Sequence, residues 1–210
     1  MKRVAKIWIK ISTASMLMAI IVLSLACCTV NTPFDVEGKK QDFFALSLDE
    51  LKKFVTVGEY KNLDIQLGDA TREEAVWAAI IAGSTVHKYP EEHVFYYTNQ
   101  FKGQYRYYAE KAGMTYEDIL KELGESEATI LERSKLMAKK DVLVAEIAKI
   151  ENIVITDAEK TTHFDKYVAK YVSEYGYDAE YVTENMTNEI LDSMLYDKIM
   201  EFLILNNNIL

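Results

Sequence analysis

Apolar residues recur at steps of three and four through most of residues 70–205, the period of one face of an α-helix. The longest aromatic stretch of this kind runs from Tyr89 to Gly113 (YPEEHVFYYTNQFKGQYRYYAEKAG). Val94, Tyr97, Phe101, Tyr105, Tyr108 and Ala112 make one stripe, whereas Phe95, Tyr96 and Tyr107 fall off it. Pro90 suits a first turn, where its missing N–H costs nothing, and Glu91 and Glu92 face the positive end of the helix dipole. Gly113 can close the helix in the left-handed conformation. The spacing predicts one helix from Pro90 to Ala112, about 34 Å long. It predicts Tyr97, Phe101, Tyr105 and Tyr108 inside, with Phe95, Tyr96 and Tyr107 more exposed. A helix with rings all round either has neighbours on several sides or keeps some rings for a partner.

Other helices announce themselves by their caps. Ser47 with Glu50, Thr71 with Glu74 and Thr156 with Glu159 read as capping boxes. They predict helices over Leu48–Phe54, through Trp77 to Gly83, and through Phe164, Tyr167 and Tyr171 to Gly176. Thr115 starts a short helix that Gly124 ends. Ser126 opens a second long one, Glu127–Glu151, with Ile130, Leu136, Met137, Leu143, Val144, Ile147 and Ile150 on its apolar side. A last helix, Asn188–Leu205, packs Ile190, Met194, Ile199 and Leu203, and Asn206–Asn208 is expected to fray it out. Only Phe54–Val57 and Leu63–Leu67 alternate like short strands. With eight glycines and two prolines in 210 residues there are too few turns for a sandwich or barrel. The expected fold is all-α, or mainly α with one or two short strands near residues 54–67.

The first residues follow another logic. Lys2, Arg3, Lys6 and Lys10 precede an uncharged apolar run, Ile11–Ala26, which is shorter than the roughly 20 residues of a spanning helix. This reads as a secretory signal. Its end, Leu23-Ser24-Leu25-Ala26-Cys27-Cys28, resembles the lipobox of bacterial lipoproteins, with Cys27 the lipidation site and Cys28 the alternative. Residues 1–26 are then the signal peptide, 27–46 the tether, and 47–210 the folded domain, anchored by lipid to the extracytoplasmic face of the cell membrane. Without the signal's four basic residues the formal charge goes from 24 basic against 33 acidic, net −9, to 20 against 33, net −13. So acidic a domain is a poor nucleic-acid binder.

Candidate chemistry is sparse. The cysteines are confined to the lipobox, so the domain has no disulfide or thiol nucleophile. His87, His93 and His163 lack metal-site spacing and read as partly exposed helix histidines. The carboxylate pairs Glu73/Glu74, Glu91/Glu92 and Asp157/Glu159 sit in first helical turns, where the dipole accounts for them. No catalytic residue, metal site or cofactor is expected. The adaptable apolar side chains are the remaining candidates. For contact with another chain they are Phe95, Tyr96, Tyr97, Phe101, Tyr105, Tyr107, Tyr108, Met137, Phe164, Tyr167, Tyr171 and Met194.

The order of segments adds a resemblance. Val57-Gly58-Glu59-Tyr60-Lys61-Asn62-Leu63-Asp64-Ile65 is similar to the segment by which trigger factor leaves its ribosome-binding domain. Asp69–Val76 is similar to the arm helix that follows. Tyr89-Pro90-Glu91-Glu92, Met114–Leu120, Ala145–Asn152 and Ile155–Glu159 resemble successive landmarks of the trigger factor C-terminal, SurA-like, substrate-cradling domain. The resemblance covers about Val55 to the C-terminus and implies an elongated helical bundle with arm-like helix pairs. Nothing here resembles the ribosome-docking signature, and only Ser84–Lys88 stands where trigger factor carries an inserted prolyl isomerase. The resemblance therefore implies an ATP-independent chaperone that holds unfolded secreted polypeptides, with no ribosome partner and no isomerase activity. A lipoprotein dedicated to one partner is the alternative, and a residual isomerase a third reading.

Overall fold

The computed structural model describes residues 40–210. The expected signal, Cys27, Cys28 and the tether up to residue 39 lie outside them. Among the described residues eight α-helices and four two-residue strands make a mainly α fold. The helices are α1 (Leu48–Leu51), α2 (Arg72–Gly83), α3 (Glu91–Ala112), α4 (Tyr116–Leu123), α5 (Glu127–Ile150), α6 (Asp157–Tyr175), α7 (Ala179–Asn185) and α8 (Thr187–Leu205).

Their ends follow local chemistry. Ser47, Thr71 and Thr156 close capping boxes with Glu50, Glu74 and Glu159, each satisfying two backbone N–H groups that the first turn leaves without partners. Gly113, Gly124 and Gly176 end α3, α4 and α6 in the left-handed region. Asn152, with φ 55°, turns the chain out of α5.

The apolar residues gather in three separate clusters among the described residues. The largest is the body, where Leu51, Val55, Trp77, Leu143, Ile147 and Ile199 are all essentially inaccessible. There α5 is surrounded, and every residue from Val142 to Ala148 is buried. This replaces the single apolar side expected of α5. Leu136 and Ile150, placed on that side, are 39% and 42% exposed because they lie beyond the buried segment on the helix's open faces. A second cluster joins the far part of α3 to α4 and the start of α5 through Tyr105, Ala109, Ile119, Leu120 and Ile130. A third joins α6, α7 and the first half of α8 through Tyr171, Val182, Met186, Ile190 and Met194. Each satellite is an arm: α3, α4 and the start of α5 form the first, and α6, α7 and the start of α8 the second.

The strands tie distant segments to the body. β1 (Val55–Thr56) pairs antiparallel with β3 (Thr85–Val86), which lies in the segment joining α2 to α3. β2 (Asp64–Ile65) pairs in parallel with β4 (Asn208–Ile209). The C-terminus therefore does not fray as expected. Asn62 N–H donates to the Asn206 carbonyl at 2.7 Å, and Leu210 N–H to that of Ile65 at 2.9 Å, pairings to which a helical periodicity is blind. Gly58 sits where the body closes on itself, since a Cβ there would lie 2.3 Å from the Gly83 carbonyl oxygen. Helix α1 stops at Leu51 rather than Phe54, because the next residues turn into β1. Helix α7, which the sequence reading missed, is capped by Asp178 through the N–H groups of Glu180 and Tyr181.

Candidate functional site

The helix α3 carries its rings into three environments. Tyr105 is buried, and its hydroxyl accepts from Arg133 Nη1 at 2.7 Å. Arg133 also pairs with Glu125 and lies 5.4 Å from the Phe101 ring. Phe95 is 51% exposed, as its off-stripe position requires. Tyr96, Tyr97, Phe101, Tyr107 and Tyr108 are all half-buried. The expected division between Tyr97, Phe101 and Tyr108 inside and Tyr96 and Tyr107 outside thus does not hold. Only α5 and α4 pack against this helix extensively, so rings on neighbouring faces share the same partial cover. They instead cover one another: Tyr96 meets Tyr97 edge-on with centroids 5.5 Å apart, and Tyr97 stacks on Phe101 at 6.4 Å.

On the second arm Tyr171 and Met194 are buried, and the Tyr171 hydroxyl meets Ser193 Oγ at 3.1 Å. Phe164 and Tyr167 are half-buried, the latter donating to Asp197 at 2.7 Å. Tyr105, Met137, Tyr171 and Met194 therefore hold the fold together in this conformation. Phe95, Tyr96, Tyr97, Phe101, Tyr107, Tyr108, Phe164 and Tyr167 keep accessible surface. Sequence reasoning missed Tyr177 and Tyr181, stacked 6.0 Å apart on the second arm with Tyr181 51% exposed. Their four-residue spacing beside the cap-forming Asp178 was the available signal.

Where the first arm joins the body lies a buried polar network. His93, expected to be a partly exposed helix histidine, is inaccessible to solvent. Its Nδ1 accepts the Gln41 N–H at 3.1 Å, so Nε2 carries the ring proton and donates to Asp141 Oδ2 at 2.7 Å. Tyr97 donates to the same carboxylate oxygen at 2.6 Å. Burial pushes the Asp141 carboxyl up, but these bonds and the nearby Lys40 charge outweigh it and hold the group down at about 2. A second network locks the body. The Tyr196 hydroxyl donates to Glu73 at 2.5 Å and accepts from Trp77 Nε1 at 2.7 Å. Lys140 Nζ lies 5.0 Å and 4.7 Å from the Trp77 and Tyr196 rings, a cation held on aromatic faces.

Neither network brings a nucleophile to a base in an open site, and no group of three metal-ligating side chains occurs among the described residues. No described helix is long and apolar enough to cross a membrane. What the fold offers is accessible aromatic surface on two arms of an acidic chain.

The described residues form a mainly α-helical body with two separately packed arms. The chain belongs to the family of the bacterial trigger factor C-terminus, whose family model matches residues 47–205. This is the chaperone-like, polypeptide-binding part of trigger factor. No curated protein and no solved structure matches the chain.

Proposed function

We propose that this protein is an ATP-independent holdase, anchored by a lipid on Cys27 (alternatively Cys28) at the extracytoplasmic face of the membrane, that shelters partly unfolded secreted polypeptides between its arms. The observation that carries this reading is the division of the apolar residues into three clusters, with rings left accessible on both arms. Covering apolar surface contributes about 25 cal/mol per Å2, so a few half-open rings supply a usable but reversible attraction. The excess of 33 acidic over 24 basic residues favours basic clients and keeps complexes soluble. The basic start and the uncharged apolar run of residues 1–26 before Cys27 support the location. No isomerase activity is assigned, since by the resemblance only Ser84–Lys88 stands where trigger factor carries that domain.

The purified chain should suppress aggregation of a chemically denatured test protein at equimolar ratio, without nucleotide. Full aggregation in its presence would overturn the reading. Mass spectrometry of the mature N-terminus tests the anchor separately and should find a diacylglyceryl group on Cys27.

A further inference from the structure

Residues 40–46 precede the segment matched by the family, which begins at Ser47, yet they hold on to both arms. Asp42 accepts from the N–H groups of Phe44 and Ala45 at 2.9 and 3.2 Å and so winds Phe43–Ala45 into a short 3-10 turn. That turn buries Phe43, whose ring meets His93 edge-on at 4.7 Å and Phe54 at 6.1 Å. Lys149 Nζ, on α5, donates to the Phe44 carbonyl at 2.8 Å.

Two further links reach outward. The Gln41 N–H ends on His93 in the first turn of α3. The Lys40 ammonium lies 3.6 Å from the Asp192 carboxylate on the first half of α8. Helices α3 and α8 each pack on α5, and the segment bonds to both. The two links differ in strength. The Gln41 bond joins a half-buried backbone N–H to a solvent-free ring that Asp141 orients from the other side, so water screens it little. The Lys40 pair is partly open to water and weaker. It also meets a carboxyl that burial, together with the neighbouring Asp42 and Asp141, pushes upward, so the lysine relieves a local excess of negative charge.

We propose that residues 40–46 are a clip that sets the spacing of the two arms. With the clip seated, His93 is held between Gln41 and Asp141, which fixes the first turn of α3 to α5, while Lys40 draws the first half of α8 toward the same point. With the clip removed, His93 loses the partner of Nδ1, the Phe43 site opens beside it, and Asp192 faces Asp141 without the Lys40 ammonium. The arms then separate about their roots and the range of spacings widens. The clip acts on the protein alone and does not depend on polypeptide binding.

The test is a distance measurement between the arms in the full chain, solubilised in detergent. Spin labels attached through ketone-bearing residues at the exposed positions Glu117 on α4 and Glu184 on α7 report their separation by pulsed electron resonance. The double variant Lys40→Ala/Gln41→Pro, which removes the ammonium and the N–H donor, should widen the distance distribution at least twofold with helix content unchanged. Lys40→Glu alone, which reverses one partly exposed charge and leaves the Gln41 N–H and the Phe43 ring in place, should widen it in the same direction and remains readable should the double variant fold poorly. A distribution superposable on that of the unmodified chain in Lys40→Glu, or in a folded double variant, would overturn the proposal. Client binding need not be measured, so failure of the holdase reading and failure of the clip are distinguishable.

Discussion

Nε2 of His93 lies 2.7 Å from Oδ2 of Asp141, and this pair fastens the first arm to the body. The carboxyl is held at about 2, well below its ordinary value of about 3.9. A depressed folded-state pKa contributes stability that is present above the unfolded value and lost as pH falls toward the folded one. Asp141→Ala should therefore lower unfolding stability at pH 7 by about 2–3 kcal/mol. The difference between variant and parent should shrink between pH 4 and pH 2. Urea titrations at pH 7, pH 4 and pH 2 check both statements.

Glu146 carries the opposite sign. It is fully buried on α5, its Oε2 accepts the Val57 N–H at 2.8 Å, and its Oε1 has no hydrogen-bond partner among the described residues. Burial pushes its carboxyl up, against the Val57 bond and the charges of Lys52 and His87. A raised folded-state pKa gives a contribution that is full below the unfolded value and lost as pH rises through the folded one. Glu146→Gln keeps the acceptor for Val57 and removes the charge. It should stabilise the protein at pH 8 by about 1 kcal/mol, with the gain vanishing below pH 4. A variant less stable than the parent at pH 8 contradicts the assignment.

Tyr196 joins two partners at its hydroxyl, Glu73 at 2.5 Å and Trp77 at 2.7 Å. Tyr196→Phe leaves both without it while preserving the ring stacked 6.0 Å from Trp77. The expected cost is about 1–3 kcal/mol. Thermal unfolding followed by Trp fluorescence should show a lower midpoint, without the loss of helix that a packing defect would bring.

Phe95 and Tyr181 are each 51% exposed, one on each arm. Phe95→Ser/Tyr181→Ser should leave stability within about 0.5 kcal/mol per site, as exposed substitutions do. It should weaken suppression of aggregation severalfold. Unchanged suppression would mean that the working surface lies on other rings.

The sequence made the long helices and their ends readable because caps, dipoles and glycine closures are local. Pro90, Gly113, Thr156 and Gly176 act within a turn of their own positions. What it could not supply were contacts between distant segments. His93 looked like a surface histidine because neither Gln41 nor Asp141 is near it in sequence. The strand pairings of β1 with β3 and β2 with β4 join residues too far apart for any local pattern. The candidate surface was half readable for a related reason. Period alone separates Phe95 from Tyr105, but Tyr96, Tyr97 and Phe101 share cover that depends on how closely α4 and α5 approach.

Lys40 lies beside Asp192 on α8, and Gln41 next to it bonds to His93 on α3. The 13 residue steps from Cys27 to Lys40 reach about 45 Å at full stretch. On the proposed anchoring at Cys27, the lipid would thus act as a short leash on Lys40, the residue that pairs with α8.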